Sequence, residues 1–224
     1  MNPGVQFGDW AFERSGGLCR LRGANGLVFA ASASTAGTGI GGVDALGVPD
    51  APAPPMTNAQ FMRLRFRSNG FFRAEPQAHL ALGVAGTWRK SDPASSQRTG
   101  MIAGRGLIIG NVSGAANGCA DAPVVQIESF RTNGNALFPG TCSPRLDDGT
   151  WYTIEFSASN EGRIAYRLHD TSGNLLTQTE VLDSTPDVPP DLAGWWILHA
   201  FSDRHLEQDW TFEITGLEVG WRGT

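Results

Sequence analysis

Within residues 61–67 apolar and polar side chains alternate from Met62 onward, with Met62, Leu64 and Phe66 on one parity and Arg63, Arg65 and Arg67 on the other. Successive side chains of a strand point to opposite faces, so the segment predicts a β-strand with one core face and one wet face. The same period places Tyr152, Ile154 and Phe156 inward over residues 151–157, and Ile164, Tyr166 and Leu168 inward over residues 163–168. Asn160, Glu161 and Gly162 between them read as a short hairpin connection. Residues 5–12, 27–31, 79–84, 106–109, 124–130, 195–201, 210–214 and 217–221 also read as strands. Turn chemistry separates them at Asp147-Asp148-Gly149, at 171–174 and at 186–190, and residues 49–55 read as a stiff proline-rich loop. There is no helical period and no internal repeat. The pattern predicts an all-β chain of about a dozen strands, folded as a two-sheet antiparallel sandwich in a single domain spanning residues 1–224.

Composition narrows the partners. Of 224 residues, 41% are hydrophobic and 17% charged, which supplies a sizeable core and too little charge for disorder. The net charge is −5 and the arginines are dispersed, so the basic stripe that would displace counterions from DNA or RNA is missing and no nucleic-acid partner is expected. No stretch approaches the roughly 18 apolar residues of a membrane span, so no membrane insertion is expected either. The segment from Met1 to Phe7 lacks a basic region followed by an apolar run, and no signal peptide is read there.

Cys119 and Cys142 bracket a predicted hairpin, 124–130 out and 135–138 back, whose ends can meet. The pair reads either as a disulfide or as two separate half-buried thiols, and Cys19 as a small core residue. Neither CxxC pairs nor Cys/His spacing for zinc occurs, so no metal or other cofactor is expected.

Residues 148–156, Asp-Gly-Thr-Trp-Tyr-Thr-Ile-Glu-Phe, followed by 162–168, Gly-Arg-Ile-Ala-Tyr-Arg-Leu, resemble the central hairpin of concanavalin A-like and laminin G-like jelly rolls. The ending is similar as well: residues 210–214, Trp-Thr-Phe-Glu-Ile, and 217–221, Leu-Glu-Val-Gly-Trp, resemble the closing strand of that superfamily. Together they cover roughly the last 80 residues. The resemblance implies two curved sheets whose concave face or edge loops bind glycans, in proteins ranging from lectins to glycosidases, lyases and viral surface modules. The glutamate-any-aspartate-any-glutamate strand motif of the laminarinase-like hydrolases is absent, as are the arginine-rich and Gln-Ile-His strands of the alginate-lyase-like branch.

Catalysis would need two carboxylates about 5 to 9 Å apart, and Glu207 and Asp209 alone offer that spacing on one strand. They fall in a polar connection, a poor support for an acid and a base, so no catalytic residue is assigned. The same segment with His199, Asp203 and His205 mixes nitrogen and oxygen donors that could hold a metal, but reads first as a solvated loop. Gly37 to Gly42 satisfies a lone GxGxxG, and Pro49 to Pro55 forbids the helix that motif needs, so it reads as a flexible surface loop.

Sugar rings are recognised by an aromatic platform beside hydrogen-bonding groups, which draws attention to the seven tryptophans. Trp88, in a polar stretch past a strand, is the best exposed candidate. Trp195 and Trp196 must face opposite sides of a strand, with one of them on the wet face near His199. Trp151, Trp210 and Trp221 are expected in the core. The Arg63/Arg65/Arg67 and Arg163/Arg167 faces would suit the carboxylates or sulfates of acidic sugars, or serve as solvated edges that resist aggregation. The candidate ligand-binding set is Trp88, Arg65, Trp196 and His199. The sequence therefore predicts a non-enzymatic module that binds a glycan or polysaccharide. Its expected setting is a virion or another extracellular surface, for instance a bacteriophage decoration, collar or fibre protein with neighbouring virion subunits as further partners. The alternative is a polysaccharide hydrolase or lyase built from His199, Glu207, Asp209 and Arg65.

Overall fold

The alternation between residues 61 and 67 is realised in strand β5 (Asn58–Asn69), where Met62, Leu64 and Phe66 are buried and Arg63 and Arg65 exposed. A computed structural model describes residues 5–7, 10–15, 18–22, 40–46, 58–74, 79–88, 101–111, 119, 122–130, 136–159, 161–184, 195–203 and 210–223. Burial is described over a subset, 59–73, 79–84, 104–111, 119, 122–129, 136–159, 161–184 and 210–218. The remaining strands are β1 (Val5–Phe7), β2 (Trp10–Ser15), β3 (Leu18–Arg22), β4 (Ile40–Leu46), β6 (His79–Trp88), β7 (Met101–Gly110), β8 (Val124–Phe130), β9 (Ala136–Leu137), β10 (Trp151–Ala158), β11 (Arg163–His169), β12 (Leu175–Leu182), β13 (Trp195–Asp203) and β14 (Trp210–Gly223). One short helix, α1 (Phe71–Ala74), follows β5.

The strands form two antiparallel sheets. An eight-stranded sheet runs β12-β11-β10-β5-β14-β2-β3, with β1 also paired to β14, and a six-stranded sheet runs β4-β13-β6-β7-β8-β9. This is the predicted all-β two-sheet sandwich. Its core is one cluster drawn from both sheets: Phe66, Ile154, Phe156, Tyr166 and Phe212 from the first pack with Leu80, Leu82, Leu107, Ile109 and Ile127 from the second. Burying each such side chain contributes about 1.5–3 kcal/mol, which makes the inward parity of every central strand the main stabilising pattern. Tyr166 carries its polar end inside, and its hydroxyl donates to the Thr141 carbonyl at 2.7 Å. Burial pushes its ionisation up to about 12.

Two local readings are corrected. Ile40 to Gly42, read as a loop, belong to β4, where Gly41 and Gly42 pair with Ser202 and Phe201. A backbone ladder needs no side chains, so glycine-rich sequence can still form an edge strand. The two final strands expected at 210–214 and 217–221 are one strand, β14, whose register against β5 shifts between Thr215 and Glu218 around Gly216 at φ +60°. Strand β12 carries no alternation of the kind that marks β10, because as the sheet edge it buries no full face. The strand expected at 27–31 lies outside the described residues.

Cys119 and Cys142 form a disulfide, with Cα atoms 5.8 Å apart. Of the two readings left open by the sequence, the hairpin ends do meet.

Candidate functional site

The two sheets differ in what they leave open. The described parts of β6, β7 and β8 in the six-stranded sheet are buried or nearly so on both parities, whereas β5, β10 and β11 alternate between buried and accessible positions. Among the residues whose burial is described, the outer face of the eight-stranded sheet is therefore the accessible platform. Register fixes what stands on it. Trp151 is opposite Arg67, Thr153 opposite Arg65 and Glu155 opposite Arg63. Across β11, Glu155 meets Arg167 and Ser157 meets Ala165; across β12, Arg167 meets Gln178 and Ala165 meets Glu180.

Trp151 is half-buried on this outer parity, not in the core. The guanidinium carbons of Arg65 and Arg67 lie 5.0 and 4.7 Å from its ring centroid, a doubled cation–π contact. Arg67 is committed elsewhere too, since its Nε and one terminal nitrogen reach Glu213 Oε2 at 2.6 and 2.5 Å, and Asn69 donates to the same oxygen at 3.0 Å. Arg63 pairs with Glu155 at 3.4 Å. Arg65 stands between Thr153 and Thr215 and has no carboxylate partner among the described residues. Its fork is therefore available to an anion.

Beside this platform lies a groove of about 470 Å³ across β10, β11 and β12, lined by Glu155, Ser157, Ala165, Arg167, Gln178 and Glu180. Ala165 and Ser157 are small enough to form its floor, and the surrounding carboxylates, amide and guanidinium supply both donors and acceptors. Arg163 forms an ion pair with Glu180 of the lining. Such an arrangement can hydrogen-bond many hydroxyl groups at once. Among the described residues no group of three His, Cys, Asp or Glu is placed to hold a metal, and no helix is long and apolar enough to cross a membrane.

The four residues singled out from the sequence do not converge. Arg65 is on the outer face just described. Trp88 ends β6 opposite Met101, and Trp196 and His199 lie on β13, all three in the other sheet. Trp196 takes the register position opposite Val84, whereas His199, of opposite parity, is opposite Ala81 and Asp44. The side chains of these three, and residues 204–209 with Glu207 and Asp209, lie outside the described residues. Trp151 is the residue that sequence reasoning assigned wrongly. The signal was present: if Tyr152, Ile154 and Phe156 point inward, residue 151 must point out.

With that geometry in view, comparison with solved structures finds the same two-sheet β-sandwich fold in lectins and in a phage module. A seed lectin of Lotus tetragonolobus superposes with a TM-score of 0.54 at 11% identity, covering 98% of this chain and 99% of the lectin. A Bauhinia forficata lectin solved in complex with GalNAc gives 0.53 at 8% identity, over 91% of this chain and 95% of the other. The CBM2 module of the evolved Dit of Lactobacillus casei BL23 phage J-1 gives 0.52 at 15% identity, over 94% and 81%. No protein-family model and no curated protein matches the sequence. The fold expected from the hairpin and closing-strand resemblance is thus the fold observed.

Proposed function

We propose that this protein is a non-catalytic carbohydrate-binding module that presents the outer face of its eight-stranded sheet to surface glycans. The observation that carries the reading is Trp151, half-exposed beneath the Arg65 and Arg67 guanidinium groups and next to a polar groove on the accessible face. Stacked on the indole, the two guanidinium groups are held in position on the accessible face, and Arg65, with no carboxylate partner among the described residues, offers two parallel donors to a carboxylate or sulfate. The ligand class is an acidic polysaccharide. Likeness in fold to lectins, and to a module of a phage Dit, supports carbohydrate binding and favours a bacteriophage virion as the setting, in an accessory role such as decoration, collar or fibre.

A glycan array followed by titration calorimetry tests this, with a reducing-end assay on every ligand that binds. Trp151→Ala should weaken binding about tenfold or more, equivalent to about 1.4 kcal/mol, and raised salt should weaken it further. Retained affinity in that variant, with loss in Trp88→Ala or Trp196→Ala, would move the site to the six-stranded sheet. New reducing ends or unsaturated products would replace the binding module with the hydrolase or lyase.

A further inference from the structure

Strand β12 is the outermost strand of the eight-stranded sheet and has no neighbour beyond it among the described residues. Edge strands usually carry protection against pairing, through lysine, proline or burial under another element. β12 reads Leu-Leu-Thr-Gln-Thr-Glu-Val-Leu, with neither lysine nor proline; its only protections are Glu180, already paired with Arg163, and a register shift confined to its Leu175 end. Its leucines are open to solvent, Leu175 at 49%, Leu176 at 40% and Leu182 at 66%. These are the exposed large hydrophobic residues of the described chain, and all three lie on this one strand.

We infer that β12 pairs antiparallel with β12 of a second copy of this chain, across a two-fold axis at Thr179. The register follows from parity over residues 177–182, and Leu176 is the extra residue where β12 shifts register against His169. Gln178, Glu180 and Leu182 stand opposite Arg167, Ala165 and Arg163 and so share the outer face. A two-fold pairing must set outer positions against outer positions. Centred on Glu180, it would oppose two carboxylates; centred on Gln178, it would oppose Leu176 and Glu180. Centred on Thr179, it opposes Leu176 and Leu182, Thr177 and Val181, and Gln178 and Glu180, so that leucine meets leucine and an amide meets a carboxylate. Glu180 keeps Arg163 as its own ion partner in this arrangement. The groove that ends at Gln178 and Glu180 continues into the corresponding groove of the second copy, doubling the length of polymer the face can hold.

The mass in solution across a dilution series reads this directly, without any glycan. The unmodified chain should run at the mass of two copies. The double variant Leu176→Asp with Leu182→Asp should dissociate at least tenfold more readily, with an unchanged circular dichroism spectrum. Register is read by Leu176→Cys with Leu182→Cys, since directly opposed Cα atoms at about 4.5–5.5 Å are within disulfide reach. That variant should form a covalent dimer under oxidation, whereas Leu182→Cys alone, like the unmodified chain with its Cys19, should not. A single-chain mass at every concentration, or a paired mass that survives both aspartates, overturns the inference, as does cross-linking by Leu182→Cys alone.

Discussion

Gln60 stands on the inward parity of β5, two positions before Met62, opposite Ala158 of β10. It is 1% exposed, and among the described residues neither its amide nitrogen nor its amide oxygen has a hydrogen-bond partner. Leaving a buried polar group unsatisfied costs about 1–3 kcal/mol. Replacement by a similar-sized apolar side chain removes that cost without opening a cavity. Gln60→Leu should therefore raise the stability by about 1–3 kcal/mol, seen as a higher urea midpoint at unchanged slope. A lower midpoint would show that the amide is satisfied. The residue illustrates what alternation conveys and what it does not. Parity told correctly that Met62, Leu64 and Phe66 face in, and the same parity extended backward reaches Gln60. At Trp151 the parity was equally clear, and the general preference of tryptophan for the core overrode it. Position in the period was the better guide than residue type in both cases.

At the scale of elements, the least legible feature is a buried ion pair that joins the two sheets. Arg105 on β7 and Asp183, just after β12, have side chains only 4% and 2% exposed, with Arg105 Nε 3.7 Å from Asp183 Oδ2. Ser129 of β8 donates to the same carboxylate oxygen at 2.5 Å, and Arg105 also donates to the Ser159 carbonyl at 3.2 Å. Desolvation lowers the arginine pKa, and the Asp183 charge and hydrogen bond oppose that shift. Removing one partner of such a pair strands the other charge in the interior. Asp183→Asn should destabilise the protein by about 3–5 kcal/mol, measured by urea unfolding, whereas exchanging both residues for apolar ones of similar size should cost far less. An equal loss in the single and double variants would refute the pairing. Arg105 lies between Gly104 and Gly106, where no alternation marks its parity, and its partner is 78 residues away. Strands β4 and β12 were illegible for a related reason. As sheet edges they are held by backbone pairing, and that leaves little imprint on the side-chain pattern.

For the whole molecule, the sandwich was legible because its core is built from strictly alternating central strands, β5, β10 and β11, whose inward sets recur in one shared cluster. The order of strands within each sheet was not, since every pairing between distant segments, such as β5 with β14, depends on contacts that no local window contains. The disulfide sits at this scale as well. It links Cys119, ahead of β8, to Cys142, in the chain that returns along the edge of β8, across a separation of 23 residues. That return is also held by hydrogen bonds, with Val125 donating to the Ser143 hydroxyl at 2.9 Å and Ile127 to the Thr141 hydroxyl at 3.1 Å. The native geometry of the segment therefore has support apart from the cross-link, and the cross-link acts chiefly by restricting the unfolded chain. Closing a loop of this length contributes about 3 kcal/mol on the chain-entropy account. Cys119→Ser with Cys142→Ser should lower unfolding stability by about that amount, while glycan affinity is retained, because the disulfide is anchored at the edge of the six-stranded sheet and the binding face belongs to the other. Loss of affinity in a variant that remains folded at the assay temperature would show instead that the return segment supports the binding face.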